Sequence, residues 1–187
     1  GGPLPLAVGV NPVQVEVTSS DGISTVTYAM GVRRLNNIED WRRRHFGSIG
    51  NSGAAADVVV ARPDNLSNLE KFAFGLDPNA DAGRPVQVLG STILALGKPT
   101  VSVESTSATS IGVRARFVRR KTHLADGLTY TVRFAGELGN VNAWRTSTVA
   151  PTVVASDGDY EVVEVPYPLF INGRKAGYFK VDVGTAP

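Results

Sequence analysis

Between residues 4 and 35 apolar and polar side chains alternate as on a strand with one buried face: Val13, Val15 and Val17 point one way, Gln14, Glu16 and Thr18 the other. Ser20-Asp21-Gly22 supplies a turn that accepts positive φ, and Ser24 to Met30, rich in Thr and carrying Tyr28, returns as a second strand. Over Asn37 to Phe46 the period lengthens to that of a helix, with Ile38, Trp41 and His45 or Phe46 on one face. Asn36 or Asn37 caps its start, Glu39 and Asp40 suit the positive end of its dipole, Arg42, Arg43 and Arg44 the negative end, and Gly47 stops it. A second short helix fits Leu66 to Phe74, with Leu69, Phe72 and Ala73 on its buried stripe, Asp64 or Asn65 near its start, and Gly75 then Pro78 at its end. The Gly/Ser/Ala-rich stretch between the helices, Ser48 to Ala56, reads as a loop.

From about Pro85 the pattern is β again. Runs at Val86–Leu89, Thr100–Glu104, Ile111–Val118, Leu128–Phe134, Thr148–Val154, Tyr160–Val165 and Tyr178–Val183 are separated by turn residues, which is how a sandwich reads. Ile111, Val113, Ala115 and Phe117 face a core while Arg114 and Arg116 face outward; Leu128, Tyr130, Val132 and Phe134 repeat the pattern, and Trp144 packs over one end. The expected fold is therefore mainly β: an N-terminal β-hairpin or partial sandwich (1–36), a short helical connector (37–84) and a C-terminal antiparallel β-sandwich (85–187) able to fold by itself.

Composition narrows the chemistry. The 187 residues include no cysteine, so disulfides, thiolate metal sites and cysteine catalysis are excluded. A net charge of +2 gives no reason to expect nucleic acid as a partner, and no window approaches the ~18 apolar residues of a membrane span. His45 and His123 lie in unlike segments with no partner at metal spacing; Ser102–Ser110 contains no nucleophile elbow, and there is no phosphate-cradling or dinucleotide loop. Neither an enzyme nor a cofactor is expected. Arg42, Arg43, Arg44 and His45 could form an anion or polysaccharide patch, although the helix dipole accounts for the arginines. The opening Gly1-Gly2-Pro3 has no initiator Met and no signal-peptide pattern, so a fragment of a longer chain is expected.

Three segments carry a resemblance. Leu6 to Asn11, Asp21-Gly22 and Thr27-Tyr28 resemble the second half of a cadherin-like β-sandwich domain. Trp41 to Gly47, followed by Asn65 to Pro78, resembles a connector of secreted Verrucomicrobia-type surface proteins, leading into a terminal sandwich similar to the last ~100 residues here. Together they cover nearly the whole chain and imply the C-terminal end of a large secreted protein. In that connector an Asp-rich loop like the thrombospondin type 3 repeat holds calcium. Here the corresponding stretch is Val58 to Asn65, with Arg62 where a cation would want an anion, so calcium is not expected. Its remaining oxygen candidates are Asp64, with Glu70 weaker, and Asp77, Asn79 and Asp81 at alternate positions, where an Asp-Pro-Asn turn is the simpler account.

The expected function is a non-enzymatic extracellular or cell-surface structural or adhesive module. Val13, Val15, Val17, Val26 and Tyr28 would form an assembly edge completed by strands of another copy, giving a fibre, the alternatives being completion in cis by an upstream segment or the hairpin packing back on the terminal sandwich. Its partners are then other copies or neighbouring domains of the parent protein. One alternative is a carbohydrate-binding accessory region of a secreted hydrolase, with Trp41, Trp144, Tyr160, Tyr167 and Tyr178 as stacking groups and polysaccharide as partner. Another is a C-terminal sorting or anchoring domain.

Overall fold

A computed structural model describes residues 2–61, 64–80, 83–107 and 110–186. The chain divides into two compact units, Gly1–Gly50 and Asn51–Pro187. The division falls inside the stretch read as a connector, so its two helices go to different units.

The first unit is an amphipathic ribbon and a helix. Strands β1 (Gly9–Thr18) and β2 (Thr25–Arg34) pair antiparallel. Their turn is closed by Ser19 N–H donating to the Ser24 carbonyl (2.8 Å), with Gly22 at φ 71°. The Asp21 carboxylate accepts from the Ser19 hydroxyl and the Ile23 N–H, which hold it below its ordinary range. Helix α1 (Asn37–Phe46) is capped by Asn36: its side chain accepts from Glu39 N–H while Glu39 accepts from Asn36 N–H. Burial nudges the Glu39 carboxyl upward, but that N–H and the Arg33 guanidinium outweigh it and leave it lowered. Gly47, at φ 70°, ends the helix, as expected.

The second unit is the sandwich. A small bridge pairs β3 (Val60–Ala61) with β4 (Leu66–Ser67), and helix α2 (Asn68–Phe74) follows. Its cap is Ser67 in a reciprocal box with Glu70, not Asp64 or Asn65, so the helix begins later than expected. Then come β5 (Gln87–Leu89), β6 (Thr92–Ala95), β7 (Thr100–Ser107), β8 (Ser110–Arg120), β9 (Leu128–Ala135) and β10 (Arg145–Thr146). The chain finishes with β11 (Thr152–Ser156), β12 (Tyr160–Pro166), β13 (Phe170–Ile171), β14 (Arg174–Lys175) and β15 (Tyr178–Thr185). The strand expected at Thr148–Val154 starts only at Thr152, because Pro151 cannot donate to a ladder and belongs before the strand.

Antiparallel sheets β11-β12-β8-β7 and β10-β9-β15 face each other. Between them lie Ala115, Phe117, Val163 and Val165 from the first, Val132, Phe134 and Val181 from the second, and Phe74 from α2. The opposite face of the four-stranded sheet is also apolar: Val118, Val162 and Ala155 pack with Val86 and with Val88 and Ile93 of the β5–β6 hairpin. Alternation on β9 thus runs as expected; on β8 Ala115 and Phe117 are buried, but Val113, expected on the same core face, is 38% exposed because the facing sheet does not reach it, and the Ile111 side chain is outside the described part.

Helix α2 is part of this unit. Phe72, Ala73 and Phe74 are fully buried, Tyr130 Oη donates to the Ala73 carbonyl (2.8 Å), and an Arg120 N–H donates to the Phe72 carbonyl (3.3 Å). Gly75 ends α2 at φ 72° with the Tyr160 ring so close that a Cβ there would stand 2.6 Å from it. A chain of residues 51–187 is therefore expected to melt cooperatively, and one of residues 85–187 to melt at clearly lower temperature or without a cooperative transition, because deleting Phe74 opens the inter-sheet core; calorimetry of the two checks this.

Burial pushes the Tyr130 hydroxyl up to about 12. The folded state holds that proton more tightly than the unfolded chain, so the stabilisation is complete below pH 10 and lost as pH rises toward 12. Tyr130→Phe is expected to flatten the fall in stability between pH 10 and 12, measured by urea unfolding at each pH.

Candidate functional site

The ribbon presents an exposed apolar face. Its register sets Val13 across from Met30, Val15 from Tyr28 and Val17 from Val26, so all six side chains share one face. Gln14 opposite Ala29, Glu16 opposite Thr27 and Thr18 opposite Thr25 form the polar face. Tyr28 is 55% exposed, Val17 and Val26 are 50%, Met30 is 49% and Val15 is 41%. Among the described residues neither strand has a neighbour on its outer side. Because Ser19 and Ser24 form a hydrogen-bonded pair, alternation turns the backbone of Val17, Val26, Tyr28 and Met30 inward and that of Glu16, Thr25, Thr27 and Ala29 toward the open edges. Pro12, of the outward set, blunts one end of the β1 edge, and β2 has no such guard before Arg33. The five expected edge residues, with Met30 added, thus lie together.

The calcium candidates do not lie together as ligands. Asp64 pairs with Lys71, Nζ to Oδ2 2.8 Å, and each side chain is only 1% exposed. That ammonium also donates to the carbonyls of Pro78 (3.2 Å) and Ala80 (3.4 Å). A cation that belongs to the chain therefore sits among the oxygens. Asp77 accepts from the Asn79 N–H (2.8 Å), the geometry of an Asx turn, and Glu70 is spent on the α2 cap. Asp81 and Arg62 lie outside the described residues. Among those described, no three His, Cys, Asp or Glu side chains gather in a way that would hold a metal ion.

The remaining polar groups pair with one another. Glu164, 2% exposed, accepts from Ser102 Oγ (2.7 Å) and Arg116 Nε (2.6 Å), and Arg114 Nε lies 3.6 Å from its second oxygen. Arg114 and Arg116 were expected to face solvent. They are instead partly covered, because the register places Glu164 directly across from Arg116. The His123 ring packs edge-on to Tyr130, with Nδ1 2.8 Å from the Arg120 carbonyl, and His45 packs on Trp41. Arg43 and Arg44 both pair with Asp40 whereas Arg42 is buried, so the three do not make one patch.

The aromatic candidates are dispersed. Trp41 is buried and Tyr167 packs on Phe134 and Phe179. Arg120 lies over the Phe72 and Tyr160 rings and donates to Tyr160 Oη (2.8 Å). Trp144 is half-buried with Lys180 Nζ 5.1 Å from its ring, and Tyr178 is 41% exposed. No helix among the described residues is long and apolar enough to cross a membrane.

Replacing Lys71 by Met is expected to cost about 3–5 kcal/mol, since it strands a buried carboxylate. Excess EDTA should leave the wild-type melting temperature in place, a shift above about 5 °C being the result against an internal cation; thermal melts read both. Compared with known proteins, the chain matches no family model, no curated protein and no solved structure.

Proposed function

We propose that the chain is a non-enzymatic structural or adhesive module that works outside the cell by joining to further copies of itself through strand completion. The observation carrying this reading is the ribbon: three apolar cross-strand pairs on one face, five of the six side chains about half exposed, between two strands that each keep an open edge among the described residues. A two-stranded ribbon is marginal in water, and an exposed apolar edge pairs with whatever strand it meets. Covering the exposed half of five such side chains is worth roughly 4–8 kcal/mol. That is comparable to the freedom lost when two proteins associate, about 4–15 kcal/mol, so a partner must add hydrogen bonds or apolar surface of its own. The chemistry needed for an enzyme finds no support in the site: the buried carboxylates Asp64 and Glu164 are each engaged by cations. Location outside the cell rests on the likeness of Trp41–Gly47 and Asn65–Pro78 to connectors of secreted Verrucomicrobia-type proteins.

The test is sedimentation of the full chain over a range of concentration. Wild type is expected to form species larger than a monomer as concentration rises, and Thr27→Pro to remain monomeric. Thr27 N–H faces the open edge, so proline there removes an outward donor and spares the ladder between β1 and β2. A wild type that stays monomeric throughout would overturn the reading.

A further inference from the structure

The second unit carries a matching unfinished surface. On the inner face of the four-stranded sheet Ala115 and Phe117 are fully buried, but at the corner where β7 borders the start of β8 the same face comes into the open. There Val101 is 44% exposed and Val103 64%. A cavity of about 620 Å3 lies at this corner, lined by Val101, Val113, Tyr167, Pro168, Leu169 and Phe170. Leu169 is 80% exposed, so the apolar surface continues past the cavity mouth. Strand β7 is the edge of its sheet, with no neighbour beyond it among the described residues.

An open strand edge beside an apolar cavity is the arrangement by which proteins accept an added strand: the backbone pairs with the edge, and every second side chain enters the cavity. We infer that this corner, between β7 and the Tyr167–Phe170 segment, is the acceptor for the ribbon of another copy. The inference rests on the assembly proposed above and names the surface to which the ribbon attaches.

Two features select that occupant. First, it must offer apolar side chains at every second position along an unblunted edge, and β2 does so with Val26, Tyr28 and Met30, the same period as Val101 and Val103. Pairing would extend the four-stranded sheet, carrying its inner face on across the apolar face of the ribbon. Second, two ribbons paired through their β2 edges would close into a two-fold dimer and leave the β7 corner exposed in both copies. Ribbon to corner uses two different surfaces of the chain, leaves one of each free at the ends, and so propagates.

The test uses the full chain with one surface blocked at a time. Thr27→Pro keeps the corner and loses the ribbon edge. Val103→Asp keeps the ribbon and places a charge in the corner, at a side chain exposed enough to tolerate it; Leu169→Asp is a second corner variant should the first fail to fold. Each variant alone is expected to sediment as a monomer. Mixed in equal amounts, Thr27→Pro and Val103→Asp should form a heterodimer of twice the monomer mass and nothing larger, because each supplies the surface the other lacks. If both corner variants assemble like wild type while Thr27→Pro does not, ribbons pair with ribbons; the inference fails and the proposed function stands. If corner variants block assembly but the mixture stays monomeric, the ribbon is not the occupant and the inference fails. A wild type monomeric at every concentration overturns both.

Discussion

The four-stranded sheet of the second unit is apolar on both faces where β8 and β12 run side by side, and most of that unit follows from the need to cover it. Ala115, Phe117, Val163 and Val165 demand a cover on one side, and Val118 with Val162 on the other. A sheet buried on both faces needs two further layers. The β10-β9-β15 sheet supplies one, with Phe74 of α2 filling its end, and the β5–β6 hairpin supplies the other. Helix α2 is therefore bound to the sandwich by the same constraint, and Gly75 is the residue that lets the chain turn away from it against Tyr160 without a Cβ in between.

Covering so much of the sheet brings charges indoors, and each is met by its opposite. Lys71 leaves the buried side of α2 in company with Phe72 and Phe74, so its ammonium has no route to water and finds Asp64 and two carbonyls instead. Glu164 lies under the same necessity on β12 and takes Ser102 and Arg116. These groups tie α2 and β12 into the fold through their partners. The lysine thus holds the Asp64 carboxylate and the carbonyls of Pro78 and Ala80 around one ammonium.

The covers do not reach everywhere. The corner at Val101 and Val103 and the ribbon face at Val15, Val17, Val26, Tyr28 and Met30 are both exposed, and both adjoin strand edges unpaired among the described residues. Proteins that live as monomers usually guard such edges with proline or inward charges. Pro12 is a guard of that kind on β1, whereas Thr25, Thr27 and Ala29 leave the β2 edge unprotected. An apolar face next to an open edge in each unit is the physical basis for reading the chain as a component that joins to others.

Local pattern was enough to place the hairpin, α1 and the main sandwich strands, because each depends on residues close in sequence. Val13-Gln14-Val15-Glu16-Val17 can put its valines on one face only as a strand, and Asn36 with Glu39 caps a helix wherever it stands. Asn172-Gly173 was equally local: both residues take positive φ, 51° and 79°, and join β13 to β14, a hairpin signal the strand pattern left unread. Tertiary structure alone decided the rest. Arg116 has the spacing of a solvent-facing residue, and only register with a strand 48 residues away makes it the partner of a buried carboxylate. Lys71 looks like any charged residue on a short helix until Asp64 and the loop at Pro78–Ala80 close around it. Alternation tells which side chains share a face, but not whether another layer extends far enough to cover it. That depends on how far each sheet reaches over its neighbour, which is why Val113 reads as core in the sequence and stands open in the fold.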